Sequence, residues 1–391
     1  MRFSAELPPP PPSAIAESER LIAKIRAEIA DTGPISFARF MECCLYTPEL
    51  GYYNNALPKF GRAGDFTTAP ETSILFAQCL VTQIIEALNA LGGGNIWEFG
   101  AGSGQLMLDI LTTLETYQAL PDHYYIIEIS PELQQRQRDL LASKAPHLVQ
   151  HVTWLDSYPQ AFQGLVIANE VLDAMPIHRF HWQEKTLKQL GVNWENERFI
   201  EQLQPPNLEL IRHIEPFDLH FATDYTSEIN LGLSSWFHSL AHSLQRGIVL
   251  LFDYGFPRHE YYHPQRSMGT LLCHYQHHVH SNPFWWPGLQ DITAFVDFTA
   301  VAAAALDHDL TLCGYTTQAN FLLSCGVLER ADKMQGDFID NYAISQQLKK
   351  LLLPSEMGEA FKVMALSKAI TLPLTGFKLH NMQEKLGSVY S

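Results

Sequence analysis

Apolar residues along this chain follow two alternating rhythms. Leu21, Ile22, Ile25 and Ile29 fall on one face of a helix that starts near Ser13 and stops at Gly33-Pro34. Ile35 to Leu45 continues as a second helix, and Ile74 to Leu88 as a third, strongly apolar one. Short apolar runs then alternate with helical stretches. Ile96-Trp97, Tyr124–Ile127, Val152–Leu155, Leu165–Ala168 and Ile248–Phe252 have the length and the Val/Ile/aromatic content of buried strands. Leu310 to Tyr315 and Phe361 to Leu366 add two more, with helices near Asn320–Leu328 and Tyr342–Leu352 between them. Strand–helix alternation over this length predicts an α/β fold, a doubly wound Rossmann-like sheet of seven strands. Residues 1–93 are expected to form an N-terminal tail, helices and a lid loop, and 94–391 the core. Insertions are expected at about 179–245 and 256–298. The first opens with a hairpin from Arg179 to about Leu203, turning around Asn193–Asn196. The second is a loop-rich excursion over 256–290, after which a helix is expected from Asp291 through Ala305. Pro8 to Pro12 reads as a tail with nothing to pack against.

The first strand runs into Glu98-Phe-Gly100-Ala-Gly102-Ser-Gly104. A strand, a glycine turn and a helix opening together present backbone N–H groups and a positive dipole end to a ligand. The dinucleotide fingerprint needs a third glycine at 105, but that residue is Gln105. Glu98 at the strand end can take the amine of a ligand with an amino-acid tail. Glu128 ends the second strand about as far beyond the turn as an acid that holds ribose hydroxyls. Asp156, past the third strand, is placed either to accept an adenine amino group or to form a local turn. The fourth strand ends in Asn169-Glu170-Val-Leu-Asp173-Ala-Met-Pro176, with two acids three residues apart in an apolar context. Helix capping by Asn169 with first-turn acids is the competing explanation. Gly61 to Pro70 is a polar, glycine-punctuated loop leading into a helix, readable as a ligand lid or as a plain connection.

A formal net charge of −16 argues against phosphate-led binding of nucleic acid, so no nucleic-acid partner is expected. No apolar run approaches the ~20 residues of a membrane span, and no secretory or mitochondrial leader pattern is visible at the start, which points to a cytoplasmic protein. Six cysteines without a C-x-x-C pair suit a reducing compartment. Cys273-His274, His277, His278 and His280 fit no metal-ligand spacing, and no metal site is expected. An oligomer is compatible with the composition.

Several separated stretches together resemble the MidA family: Gly64-Asp-Phe-Thr-Thr-Ala-Pro70, Glu98–Gly104, Glu128-Ile-Ser-Pro131, Asn169–Pro176, Asp253-Tyr-Gly255, Gly269-Thr-Leu271 and Pro287 to Phe298. They occur in order over about residues 20 to 370, while the glycine motif is shared with all class I methyltransferases. The resemblance implies a seven-stranded class I methyltransferase core, S-adenosylmethionine (SAM) as cofactor and methylation of a protein arginine. In eukaryotic relatives, located in the mitochondrial matrix, the target is a complex I subunit and the product symmetric dimethylarginine. It raises the lid reading for Asp65, Phe66, Thr67 and Thr68. Cofactor contacts are also expected at Glu98, Gly100, Ala101, Gly102 and Gly104. Glu128, Ile129, Asp156 and Asn169 complete the expected set. Val171-Leu172 departs from the aromatic residues frequent in relatives, which bears on the shape of the substrate pocket.

A guanidinium is protonated at neutral pH and then a poor nucleophile, so carboxylates that hold it and accept its proton suit the chemistry. Glu170 and Asp173 are the candidates, Glu170 first. Three readings stand: an arginine methyltransferase, a class I methyltransferase acting on a small molecule or another side chain, and a SAM-binding assembly chaperone.

Overall fold

The computed structural model describes residues 7–55, 57, 59, 68–184, 186–215, 224–334, 336 and 338–387. The chain divides into two compact units. One is built from residues 1–66, 173–233 and 258–297, the other from 67–172, 234–257 and 298–391.

The second unit holds the expected sheet. Its strands are β1 (Asn95–Phe99), β2 (Tyr124–Ile127), β3 (Val152–Trp154), β4 (Phe162–Asn169), β5 (Leu244–Phe256), β6 (Thr311–Thr317) and β7 (Phe361–Lys368). Their order along the main path is β6-β7-β5-β4-β1-β2-β3. β1 to β5 pair in parallel, and β7 runs antiparallel between β5 and β6. β1 and β4 are central, with Trp97 opposite Val166 and Phe99 opposite Ala168, so the turns that follow these strands leave the sheet side by side. Strands covered on both faces must be apolar throughout, and Leu165, Val166 and Ile167 are each fully buried.

Helix Ile74–Leu91 covers one face. It is 18 residues long with a mean hydropathy of 1.6, enough by length and composition to cross a membrane and longer than the periodicity suggests. Here it is a core helix: Leu75, Phe76, Leu80, Val81 and Ile84 are fully buried in the cluster that also contains Ile96, Ile126, Leu165 and Leu250. Gly92 in the left-handed region stops it, its N–H returning to Leu88 and Asn89.

The first unit carries two antiparallel sheets. In one, Thr186–Glu195 lies between His178–Gln183 and Arg198–Gln204. The expected hairpin is present, but it turns at Asn196-Glu197 rather than around Asn193–Asn196: Asn193 to Glu195 still pair in the ladder, and the two turn residues have φ of +49° and +60°, as a two-residue primed turn requires. In the other, Leu272–Tyr275 pairs with His278–His280 and with Asp291–Thr293. The helix expected from Asp291 therefore starts only at Phe298. Ile292-Thr293 is β-branched and completes a ladder, and the alanine run after Phe298 alone carries the helical signal. At the N-terminus Pro10 is buried and Pro12 opens helix Pro12–Thr32, which corrects the idea of an unpacked tail. Ile35-Ser36 is a short strand, and the second helix is Phe37–Tyr46.

Candidate active site

The turn after β1 is made by three glycines in the left-handed region: Gly100 at φ +58°, Gly102 at +53° and Gly104 at +83°. Side chains pay for that conformation, and glycine does not. Gly100 donates its N–H to the Ile127 carbonyl at 2.8 Å, which clamps the turn to β2. Gly104 donates to Ala101 at 2.8 Å and caps helix Gln105–Thr116. Ala101 is buried within the turn, while Gly100 is exposed at the carboxyl edge of the sheet, where ligands of such sheets bind.

Two buried carboxylates flank this turn. Glu128, 7% exposed, accepts the N–H of Gly102 at 3.4 Å and the amide of Gln137 at 3.2 Å on Oε2, and the N–H of Ser130 at 3.1 Å on Oε1. Burial pushes its pKa up, against the pull of these donors. Glu98, 2% exposed, takes the Tyr124 hydroxyl on Oε2 at 2.8 Å. Burial lifts its pKa to about 7; the Tyr124 hydroxyl opposes that lift and the neighbouring Glu128 charge adds to it. Ile129 projects into solvent beside Glu128.

The turn after β4 packs on the glycine turn. A methyl group built on Gly100 would stand 3.5 Å from Cγ2 of Val171. Glu170 precedes Val171 and has φ of +53°, rare for a residue with a side chain. Its N–H extends the β4–β5 ladder to the Phe252 carbonyl at 2.8 Å, and its carboxylate accepts the Asn169 amide at 3.2 Å. Glycine turn, Glu98, Glu128, Asn169 and Glu170 thus gather at one edge of the sheet. Asp156 is exposed two residues beyond β3, and among the described residues no hydrogen bond joins it to the turn. Thr68 sits at the start of helix Ala69–Thr72, its carbonyl accepting the Thr72 N–H at 3.1 Å. Asp65, Phe66 and Thr67 lie outside the described residues.

Asp173 belongs to the first unit and is buried there, its carbonyl accepting the Ala294 N–H at 3.0 Å. The hydroxyl of Tyr53 meets the Asp291 carboxylate at 3.0 Å in the same unit, and Tyr46 stacks on Tyr53 at 5.6 Å. Burial, then Asp291, Tyr46 and Asp173, hold the Tyr53 phenol far above its usual pKa.

Sequence reasoning missed Gln137. Fully buried, it donates to the Gly102 carbonyl at 2.9 Å and to Glu128, and accepts the Trp154 indole N–H at 2.8 Å. The signal was present: Leu133, Gln137 and Leu141 share one helical face, and a lone glutamine in an apolar stripe needs partners. An open pocket of about 640 Å³ borders the turn through Ser103 and Gln105, but neither Glu98 nor Glu128 lines it.

The chain matches, over residues 79–316, the family model described as "Putative S-adenosyl-L-methionine-dependent methyltransferase". It belongs to this methyltransferase family. The MidA resemblance seen in the sequence is thereby borne out, and SAM is the cofactor. The chain is also similar to a solved structure described as a "likely methyl transferase from Burkholderia thailandensis bound to S-adenosyl-homocysteine". The two are 41% identical, with a TM-score of 0.92 over 97% of this chain and 100% of that one. Among curated relatives, the mitochondrial protein arginine methyltransferase NDUFAF7 homolog of Drosophila melanogaster is 29% identical, over 94% of this chain and 91% of its own. The Danio rerio protein arginine methyltransferase NDUFAF7, also mitochondrial, is 26% identical, over 95% of each. The expected class I fold and the methyltransferase activity both stand.

Proposed function

We propose that this SAM-dependent methyltransferase modifies an arginine side chain of a protein, with Glu170 receiving the guanidinium. The names of the curated relatives support the acceptor class. The observation that carries the residue assignment is the packing of the Glu170 turn on Gly100, through Val171, at the edge where the glycine turn opens. A complex I subunit is the candidate acceptor, as the family resemblance implies.

The residues present fit the cofactor. A turn in which only glycine is comfortable leaves its backbone open to close approach, and two buried acids stand beside it. In this proposal Glu98 holds the cofactor's ammonium, Glu128 and its Ile129 neighbour the ribose and base, and Asn169 the amino-acid end. Asp156 is the candidate for the adenine amino group, and Asp65 to Thr68 complete the contact set. When bound, SAM supplies an electrophilic methyl group on sulfur. Glu170 orients the guanidinium by paired charged hydrogen bonds to two of its nitrogens, the attacking one among them, and accepts the proton that the attacking nitrogen loses. Alignment of this kind is worth roughly 7–11 kcal/mol of barrier. Asp173 is the second candidate carboxylate, on its sequence position three residues further on. We also propose a cytoplasmic, reducing setting, supported by six free thiols.

The test is Glu170→Gln. Loss of methylarginine formation in extract from cells lacking the protein, with S-adenosylhomocysteine still bound, supports the reading. Unchanged turnover removes Glu170 from the reaction. Full in vivo complementation by an inactive variant would favour an assembly chaperone instead.

A further inference from the structure

Glu170 occupies a backbone conformation that its own side chain disfavours, so something must hold it there. The holding groups lie on β5. Asn169 pairs with Phe252 at the end of the parallel ladder, and the Glu170 N–H to the Phe252 carbonyl is the last rung. The chain then swings away from the sheet, which would leave the next buried amide without a backbone acceptor. Leu172 is 3% exposed, and its N–H goes to Oδ2 of Asp253 at 3.0 Å. Asp253 is itself 1% exposed and braced from behind, its Oδ1 accepting the N–H of Tyr254 at 2.9 Å. A buried carboxylate that accepts one main-chain N–H from its own strand and one from the turn after the neighbouring strand makes strong charge-assisted bonds and fixes both segments.

We infer that Asp253 is a positioning residue for methyl transfer: by bonding Leu172 N–H it clamps the turn that presents Glu170. This rests on the proposed role of Glu170 and adds a residue that touches neither cofactor nor acceptor. The two fixed points, Phe252 carbonyl to Glu170 and Asp253 carboxylate to Leu172, are consecutive on β5 and bracket Val171, the residue packed on Gly100. Releasing one of them lets the Glu170 carboxylate wander while the glycine turn, held through Ile127 and Gln137, stays in place. The signature is therefore lost turnover with retained cofactor affinity.

Purified Asp253→Ala, Asp253→Asn, Glu170→Gln and the Glu170→Gln/Asp253→Ala double variant are assayed with tritiated SAM against extract of cells lacking the protein. Their S-adenosylhomocysteine affinities are measured by calorimetry. Asp253→Ala is expected to lose about 100-fold in transfer, the scale of a small misplacement, with affinity within about twofold of wild type. Asp253→Asn, whose amide oxygen still accepts one N–H, recovers part of the rate. In the Glu170→Gln background Asp253→Ala costs nothing further, whereas a merely structural role would lower both backgrounds alike. Wild-type transfer by Asp253→Ala, or equal loss in both backgrounds, overturns the inference. If the alanine variant does not fold or the Glu170→Gln rate falls below detection, Asp253→Asn decides by the split between rate and affinity. Turnover by Glu170→Gln at the wild-type rate would instead sink the reading of Glu170 itself, whatever Asp253 does.

Discussion

Gln137 donates its side-chain amide to the carbonyl of Gly102 at 2.9 Å, tying the glycine turn to helix Pro131–Lys144. The same amide reaches Glu128, and its oxygen takes the Trp154 indole. Replacing Gln137 by Leu keeps the volume and removes every one of these bonds. A half-buried carbonyl and a half-buried indole N–H left without partners cost roughly 1 kcal/mol each, the lower end of the penalty for an unsatisfied group. Thermal unfolding should shift down by several degrees, and SAM affinity, measured by calorimetry, should weaken by about tenfold as the turn loosens. Unchanged affinity would mean that the turn holds its shape without the helix.

Gly104 should tolerate no side chain. Its φ of +83° is strained for alanine, and a Cβ would come within 3.1 Å of Gln137 Cγ and 3.3 Å of its Cα. Gly104→Ala is expected to destabilise by about 1–2 kcal/mol and to impair cofactor binding more than it lowers the unfolding temperature. Paired melts with and without S-adenosylhomocysteine separate the two effects.

Glu128 faces the turn with both oxygens already accepting N–H donors, so a ribose would meet a carboxylate fixed in place. Glu128→Ala should reduce SAM affinity by about 10- to 100-fold, the worth of one or two hydrogen bonds to a charged group. A cofactor analogue lacking the ribose 2′-hydroxyl should bind wild type less tightly and the variant with no added penalty. An additive penalty would place the ribose elsewhere.

Much of this site was readable from residues alone. Glycines alternating between an apolar run and a helix opening mark a tight turn, which the structure forms with all three in the left-handed region, and Glu128 stood out because a strand end follows that turn at the spacing expected of a ribose-binding acid. The sheet was legible for the same reason: strands buried on both faces carry unbroken apolar runs. Asp291 was misplaced because helical periodicity further on, in the alanine run after Phe298, masked a three-residue strand whose partner lies nearly twenty residues earlier. Short antiparallel pairings depend on a distant ladder, which local pattern does not encode. Gln137 was passed over, and Asp253, which stands in one of the family stretches, was given no role, because the importance of both lies in partners reached across the fold, at Gly102 and Leu172.

Glu98 makes the protein's stability depend on pH in an unusual direction. Its folded pKa of about 7 lies above the ordinary 4.5, because burial penalises the charged form. The folded state therefore binds the proton more tightly than the unfolded chain. Stability from this group is fully present below pH ~4.5, falls as pH rises through ~7, and is flat above that, a change on the order of 3 kcal/mol. Glu98→Gln should flatten this part of the profile in denaturant titrations between pH 5 and 8. If Glu98 holds the cofactor's ammonium, that cation favours the ionised carboxylate, so binding near pH 6.5 should release a proton. Calorimetry in buffers of different ionisation enthalpy would show it, and the release should vanish in Glu98→Gln. Proton release that persists in the variant would assign it to another group and move the ammonium away from Glu98.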